Sequence, residues 1–181
     1  DNTLKDSWVF ITILIVIEYF KRVLKRRVYL RGAIGYGNFL ISKDPLCYIG
    51  SVIKQTYDLE KMQEWIGFML SDDVNKIMLK LIKDLEINNF TMYNIPVKSI
   101  IPKNNKIDFK TSLVPDPLLL GYNPEVFDDL HKSLEEIKDD REKESVKRKI
   151  FNTMIYFLRV QIPKLSKDDQ KFFEKKYPQF F

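Results

Sequence analysis

Glycine is scarce in this chain and is gathered almost in one place. Three of its six glycines stand within the seven residues Arg31-Gly32-Ala33-Ile34-Gly35-Tyr36-Gly37, and a fourth, Gly50, follows thirteen residues after Gly37. Such clusters mark a tight backbone turn, or a place where a ligand or another segment must approach the main chain. The flanking residues narrow what can form here. Val28 to Gly37 reads as a strand, and NFLISKDPLCYIG reads as an extended pair turning at Lys43-Asp44-Pro45, which makes a hairpin. From Ser51 onward VIKQTYDLEKMQEW reads as a helix.

At 181 residues the chain buries one sizeable core, and one domain with an appendage is expected. A 45% hydrophobic share suits a folded globule, and a 30% charged share suits a soluble surface. The single cysteine, Cys47, excludes an internal disulfide and fits a reducing compartment, so a cytoplasmic location is expected. A lone histidine, His131, excludes histidine-built zinc sites, and any metal would sit on carboxylates. The net charge of +5 comes from Lys and Arg scattered among acids, so nucleotides and nucleic acids both stay open as partners.

The apolar run Trp8–Ile17 invites a membrane reading. It is too short, because a span needs about 18–20 apolar residues, and Glu18, Lys21, Arg22, Lys25, Arg26 and Arg27 follow at once. No charged segment precedes it and no small-residue cleavage site follows, which argues against a signal peptide. Residues 5–27 are therefore expected to form a buried helix lying on a sheet, with a basic end that complements the helix dipole. No membrane partner is expected.

Further along, Ile66–Ser71 reads as a short buried strand, Ser71 as the N-cap of the helix DDVNKIMLKLIKDLEI, and FTMYNIPVK and KIDFKTSLV as two more strands. This order predicts an α/β or α+β sandwich with one central sheet. Pro115, Pro117 and Pro124 then frame a link to a charged helical tail. One long helix or two with a break would fit the tail, and Ser166 is expected to cap a last short helix. His131 shows no partner within a helical turn and is expected in solvent. Lys147-Arg148-Lys149 beside aromatic residues suggests nucleic acid weakly, since Glu142 and Glu144 dilute the charge and the aromatics suit packing.

The block from Leu30 to Glu60 resembles the corresponding block of class III nucleotidyl cyclases, in particular a divergent bacterial branch. Arg31–Gly37 takes the place of the family strand, Cys47-Tyr48-Ile49-Gly50 that of the turn before the helix, and Leu59-Glu60 closes the block. The resemblance fades toward residue 110 and is absent from the C-terminal helices. It implies a ferredoxin-like sheet with helices on one face, residues 1–120 forming the C-terminal part of a cyclase-like domain and 121–181 a helical extension. It further implies a homodimer whose composite sites convert a nucleoside triphosphate into a 3′,5′-cyclic nucleotide, with Mg²⁺ or Mn²⁺ on two aspartates. Asp1 is placed as one of these metal ligands, and the other aspartate is implied upstream.

In the family helix an asparagine orients the ribose and an arginine four residues on stabilises the transferring phosphoryl group. Those catalytic places fall on Lys54 and Asp58, and neither matches. Lysine can still present charge to phosphate, whereas aspartate has the wrong sign. Cys47 stands where the family reads the base, as in guanylyl-selective members, and Gly50 and Arg31 complete the implied nucleotide-binding set. Each residue also has a structural reading. Gly32 and Gly35 suit close packing of a helix on the strand, Cys47 a small buried hydrophobe, Lys54 a solvated surface, and Asp58 and Glu60 helix ion pairs with Lys54 or Lys61. The alternative to an enzyme is a non-catalytic cyclase-like regulatory or scaffold module, and nucleic-acid binding ranks last.

Overall fold

The computed structural model describes residues 2–43, 46–98, 107–116, 124–137 and 143–180. Helix α1 (Asn2–Leu24) leads into β1 (Arg31–Ile34), the hairpin β2 (Leu40–Lys43) and β3 (Leu46–Ile49), then α2 (Ser51–Met62), β4 (Gly67–Leu70) and α3 (Asp72–Asp84). Two long strands, β5 (Phe90–Lys98) and β6 (Ile107–Pro115), precede α4 (Pro124–Glu136), α5 (Glu144–Gln161) and α6 (Lys167–Lys176). The chain is thus a mixed α and β protein. Asp1, the Asp44-Pro45 turn and the Pro117 link lie outside the described residues.

Local chemistry sets the element ends. Ser71 caps α3 by accepting the Val74 amide, and Asp72 and Asp73 in the first turn complement the helix dipole. Ser166 caps α6 in the same way through the Asp169 amide. Helix α1 stops three residues earlier than expected because Arg27 takes a left-handed conformation (φ 57°), and the Val28 amide donates to Val23 O at 3.0 Å. That bond and the Arg27 amide to Leu24 O form a Schellman closure, which turns the chain toward β1.

The expected single sheet is replaced by pairs. Among the described residues β1 pairs with β4 in parallel, β2 with β3 antiparallel, and β5 with β6 antiparallel. Strand β4 still lies beside β6, but side chains make the link. Asn75 Oδ1 accepts the Leu113 amide at 2.9 Å, its Nδ2 donates to Leu70 O at 3.2 Å, and Ser112 Oγ also donates to Asn75 Oδ1. A buried amide satisfied on both ends replaces ladder bonds between the two strands.

All four residues of β4 are buried. Their position follows from Gly67, whose φ of 155° excludes side chains and whose hypothetical Cβ would lie 2.7 Å from Trp65 Cζ2. Phe68 meets Phe20 of α1 edge to face at 5.9 Å, and the burial of each such ring stabilises the fold by about 1.5–3 kcal/mol. Helix α5 closes the same core from the other side. Tyr156 packs on Trp65 and Tyr93 and donates to Pro115 O, while Thr153 Oγ1 accepts the Ile66 amide at 2.8 Å. One hydrophobic core therefore runs from α1 through β4 to α5.

Two expectations about single elements are corrected. Helix α1 buries Val9, Ile13, Ile17, Phe20 and Leu24, but Leu4, Trp8, Ile11, Ile15 and Tyr19 form an exposed apolar face. A helix apolar on all sides gives no period from which to read its buried side. His131 is not in open solvent: its ring packs on Tyr177 at 5.2 Å and on Phe180 at 6.2 Å, with Glu135 one turn away at 3.7 Å. Among the described residues no helix is long and apolar enough to cross a membrane.

Candidate functional site

The glycine block folds around α2. A Cβ on Gly35 would run into Thr56 Oγ1 and lie 3.1 Å from Val52 Cγ2, and one on Gly37 would lie 3.0 Å from Val52 Cβ. At Gly50 the obstacle is the hairpin base, with Asn38 O at 2.8 Å and Phe39 Cβ at 2.9 Å. Close approach of α2 thus accounts for Gly35, as expected. Gly32 differs, since a Cβ there would meet nothing within 4 Å.

This packing leaves a cleft of about 600 Å³ between the glycine turn, the hairpin and α2. Its walls are Ala33, Phe39, Tyr48, Val52, Ile53, Thr56 and Tyr57, with Glu60 at one end. The helix residues stand at positions i, i+1, i+4, i+5 and i+8, which is one face of α2. That spacing was the available signal for Val52, Ile53, Thr56 and Tyr57. The places of the family asparagine and arginine, at Lys54 and Asp58, drew attention to the other face instead.

Of the residues singled out in the sequence, Gly50 sits at the N-cap of α2 and Arg31 beside the cleft. Arg31 Nε lies 2.5 Å from Glu60 Oε1, so Glu60 pairs with the strand rather than with Lys61. Arg31 also donates to Gln63 O at 3.4 Å. Gln63, fully buried, donates to Gly32 O and accepts from Trp65 Nε1 at 2.9 Å, which anchors the end of α2 to β1. Lys54 and Asp58 lie away from the cleft walls. They pair with each other at 3.6 Å on the solvent face, and the Lys54 side chain is 83% exposed. Cys47 stands on β3, opposite Ser42 in the ladder.

Electrostatically the cleft is quiet. Glu60, the charged residue on its wall, is matched by Arg31, while elsewhere on α2 Lys54 pairs with Asp58 and Lys61 lies over the Tyr57 ring 4.3 Å away. A hydrogen bond and charge interaction with Tyr57 hold the Lys61 ammonium above its ordinary range. Arg148 of the basic tail cluster is likewise engaged, with Nε 2.8 Å from the buried Glu64 carboxylate. Among the described residues no group of three or more His, Cys, Asp or Glu side chains is placed to hold a metal ion. Asp1, the metal ligand that the cyclase resemblance implies, lies outside the described residues. The chain matches no protein-family model, no curated protein and no solved structure.

Proposed function

We propose that this chain belongs to a cyclase-like module that assembles as a homodimer around the α2 cleft and serves as a regulatory or scaffold unit. The observation that carries this reading is the Lys54–Asp58 pair. A ribose-orienting amide and a transition-state guanidinium are needed at these two positions for cyclisation, and here a lysine and an aspartate neutralise one another in solvent. An apolar cleft whose Glu60 is already paired with Arg31 supports a packing surface better than a triphosphate seat.

A second reading, the active nucleotidyl cyclase, keeps support from a different feature. Strand β1 pairs with β4 through Leu30 O and Ile34 O, so the backbone groups of Arg31 and Ala33 point to an edge with no partner among the described strands. Beside that strand end, Trp8 and Thr12 of α1 share a groove of about 230 Å³ with Ile34, Gly35 and Tyr36. An open strand edge next to the exposed face of α1 is a seat for one further strand and helix. An upstream strand and helix carrying a second aspartate is what an Mg²⁺- or Mn²⁺-dependent enzyme requires.

The test is to incubate the full-length protein with each of the four nucleoside triphosphates and Mn²⁺ and to search for cyclic product by mass spectrometry. A folded dimer with no product is expected. Cyclic product from any triphosphate replaces the module by the enzyme.

A further inference from the structure

The β2–β3 hairpin is apolar on both of its faces. Its register sets Leu40 opposite Ile49 on one face and Ile41 opposite Tyr48 on the other. Phe39 and Tyr48 turn toward the cleft of their own copy, with rings 6.5 Å apart. Leu40 and Ile49 turn away, 74% and 61% exposed. A two-stranded hairpin by itself is marginal in water, and one that shows large aliphatic residues on its outer face lacks the usual polar side.

We infer that the hairpin of one copy docks in the α2 cleft of a second copy, and that the contact is reciprocal. Leu40 and Ile49 enter the cleft of the other copy against its Ile53 and Tyr57. This inference names the partner of the site described above and rests on that homodimer reading for its functional meaning.

Three observations favour a second copy as the occupant. The protruding hairpin and the recessed cleft adjoin on one surface, so a single two-fold axis fills both clefts and covers both hairpins, the isologous arrangement of most dimers. An unrelated protein would need to bring both a matching protrusion and a matching recess. The exposed apolar residues of the hairpin, with Ile53 and Tyr57, present on the order of 800 Å² per copy, the share a standard-size interface takes from each partner. Glu60 on the cleft wall is already paired with Arg31 within each copy, so an apolar occupant does not strand it.

Sedimentation equilibrium of the 181-residue chain tests the contact with a charge-swap pair. Wild type is expected at twice the protomer mass of 21.6 kDa. A hairpin variant, Leu40→Lys with Ile49→Lys, and a cleft variant, Ile53→Glu with Tyr57→Glu, are each expected to be monomeric with an unchanged far-UV spectrum, because all four side chains are exposed within one copy. An equimolar mixture is expected to recover the double mass, since one native contact and one Lys–Glu contact then form together. Should either variant lose its helical spectrum, Leu40→Ser with Ile49→Ser supplies the readout, with dimer dissociation raised at least tenfold. A monomeric wild type, variants that stay dimeric, or a mixture that stays monomeric would overturn the inference. A dimer indifferent to these substitutions removes this contact and leaves the homodimer reading in place, whereas cyclic product removes the non-catalytic reading and leaves this contact untouched.

Discussion

Arg31 and Glu60 face each other across the end of the cleft at 2.5 Å, each side chain 28% exposed, joining strand β1 to the last full turn of α2. A partly buried, close pair of this kind contributes more than a surface pair, because solvent screens it less. Glu60→Gln keeps the shape and removes the charge, and it is expected to destabilise the fold by about 1–2 kcal/mol. Arg31→Met should cost a similar amount and the double variant little more than either. A double-mutant cycle in urea measures the coupling, and additive losses would show that the two residues act separately.

Gly35 and Thr56 supply a second coupled pair. A methyl at residue 35 collides with the Thr56 hydroxyl, and Val52 stands close behind it. Overpacking at such a helix–strand contact costs about 1–3 kcal/mol, so Gly35→Ala should lower the unfolding free energy by that amount. Thr56→Ala removes the colliding oxygen, and the Gly35→Ala, Thr56→Ala double variant should recover most of the loss. Equal destabilisation of the single and double variants in thermal melts would place the cost in the backbone instead.

These pairs also mark what was legible in the sequence. The order of helices and strands, the Ser71 and Ser166 caps and the hairpin could be read because each depends on residues within a few positions of one another. The glycine block could be read as a close approach, but not which glycine faces the helix. Strand pairing was not legible, because the β4–β6 link depends on Asn75 reaching Leu113 across 38 positions. His131 depends on Tyr177 and Phe180, which the helical-turn window excluded. At the candidate site, attention to Lys54 and Asp58 followed the places of the family asparagine and arginine in the cyclase resemblance, while the cleft is built from the apolar face of the same helix.

Alkaline pH should weaken the fold. Lys61, Lys80 and Tyr93 are all held above their ordinary values: Lys61 by its hydrogen bond with Tyr57, Lys80 by that with Asp6, and Tyr93 by burial that Arg159 only partly offsets. In each case the folded chain keeps its proton to higher pH than the unfolded chain does. Their contribution is therefore complete below the unfolded values of about 10 and is lost as pH rises through the folded ones. Urea midpoints measured between about pH 8 and 11 should stay level and then fall, and Tyr93→Phe together with Lys80→Met should flatten the decline. A level wild-type curve across that range would contradict the account.

Arg148 and Glu64 bind α5 to the segment that leads into β4, with Arg148 Nε 2.8 Å from Glu64 Oε2 and only 1% of the Glu64 side chain exposed. The same segment is held by Asn152, whose amide donates to Glu64 O at 2.6 Å, and by the Thr153 contact with the Ile66 amide. A carboxylate this deep is favourable only while a cation faces it, so Arg148→Met should destabilise by about 2–4 kcal/mol, more than removal of a surface arginine. Glu64→Gln in the Arg148→Met background takes away the stranded charge and should restore at least half of the loss. If the double variant is no more stable than Arg148→Met alone, the cost lies in lost packing of the arginine stem rather than in the buried charge. The position of the pair also sets a structural expectation. Amide exchange at Ile66 and Phe68 should quicken together with that of α5 in Arg148→Met, because β4 and α5 share one core and open as one unit.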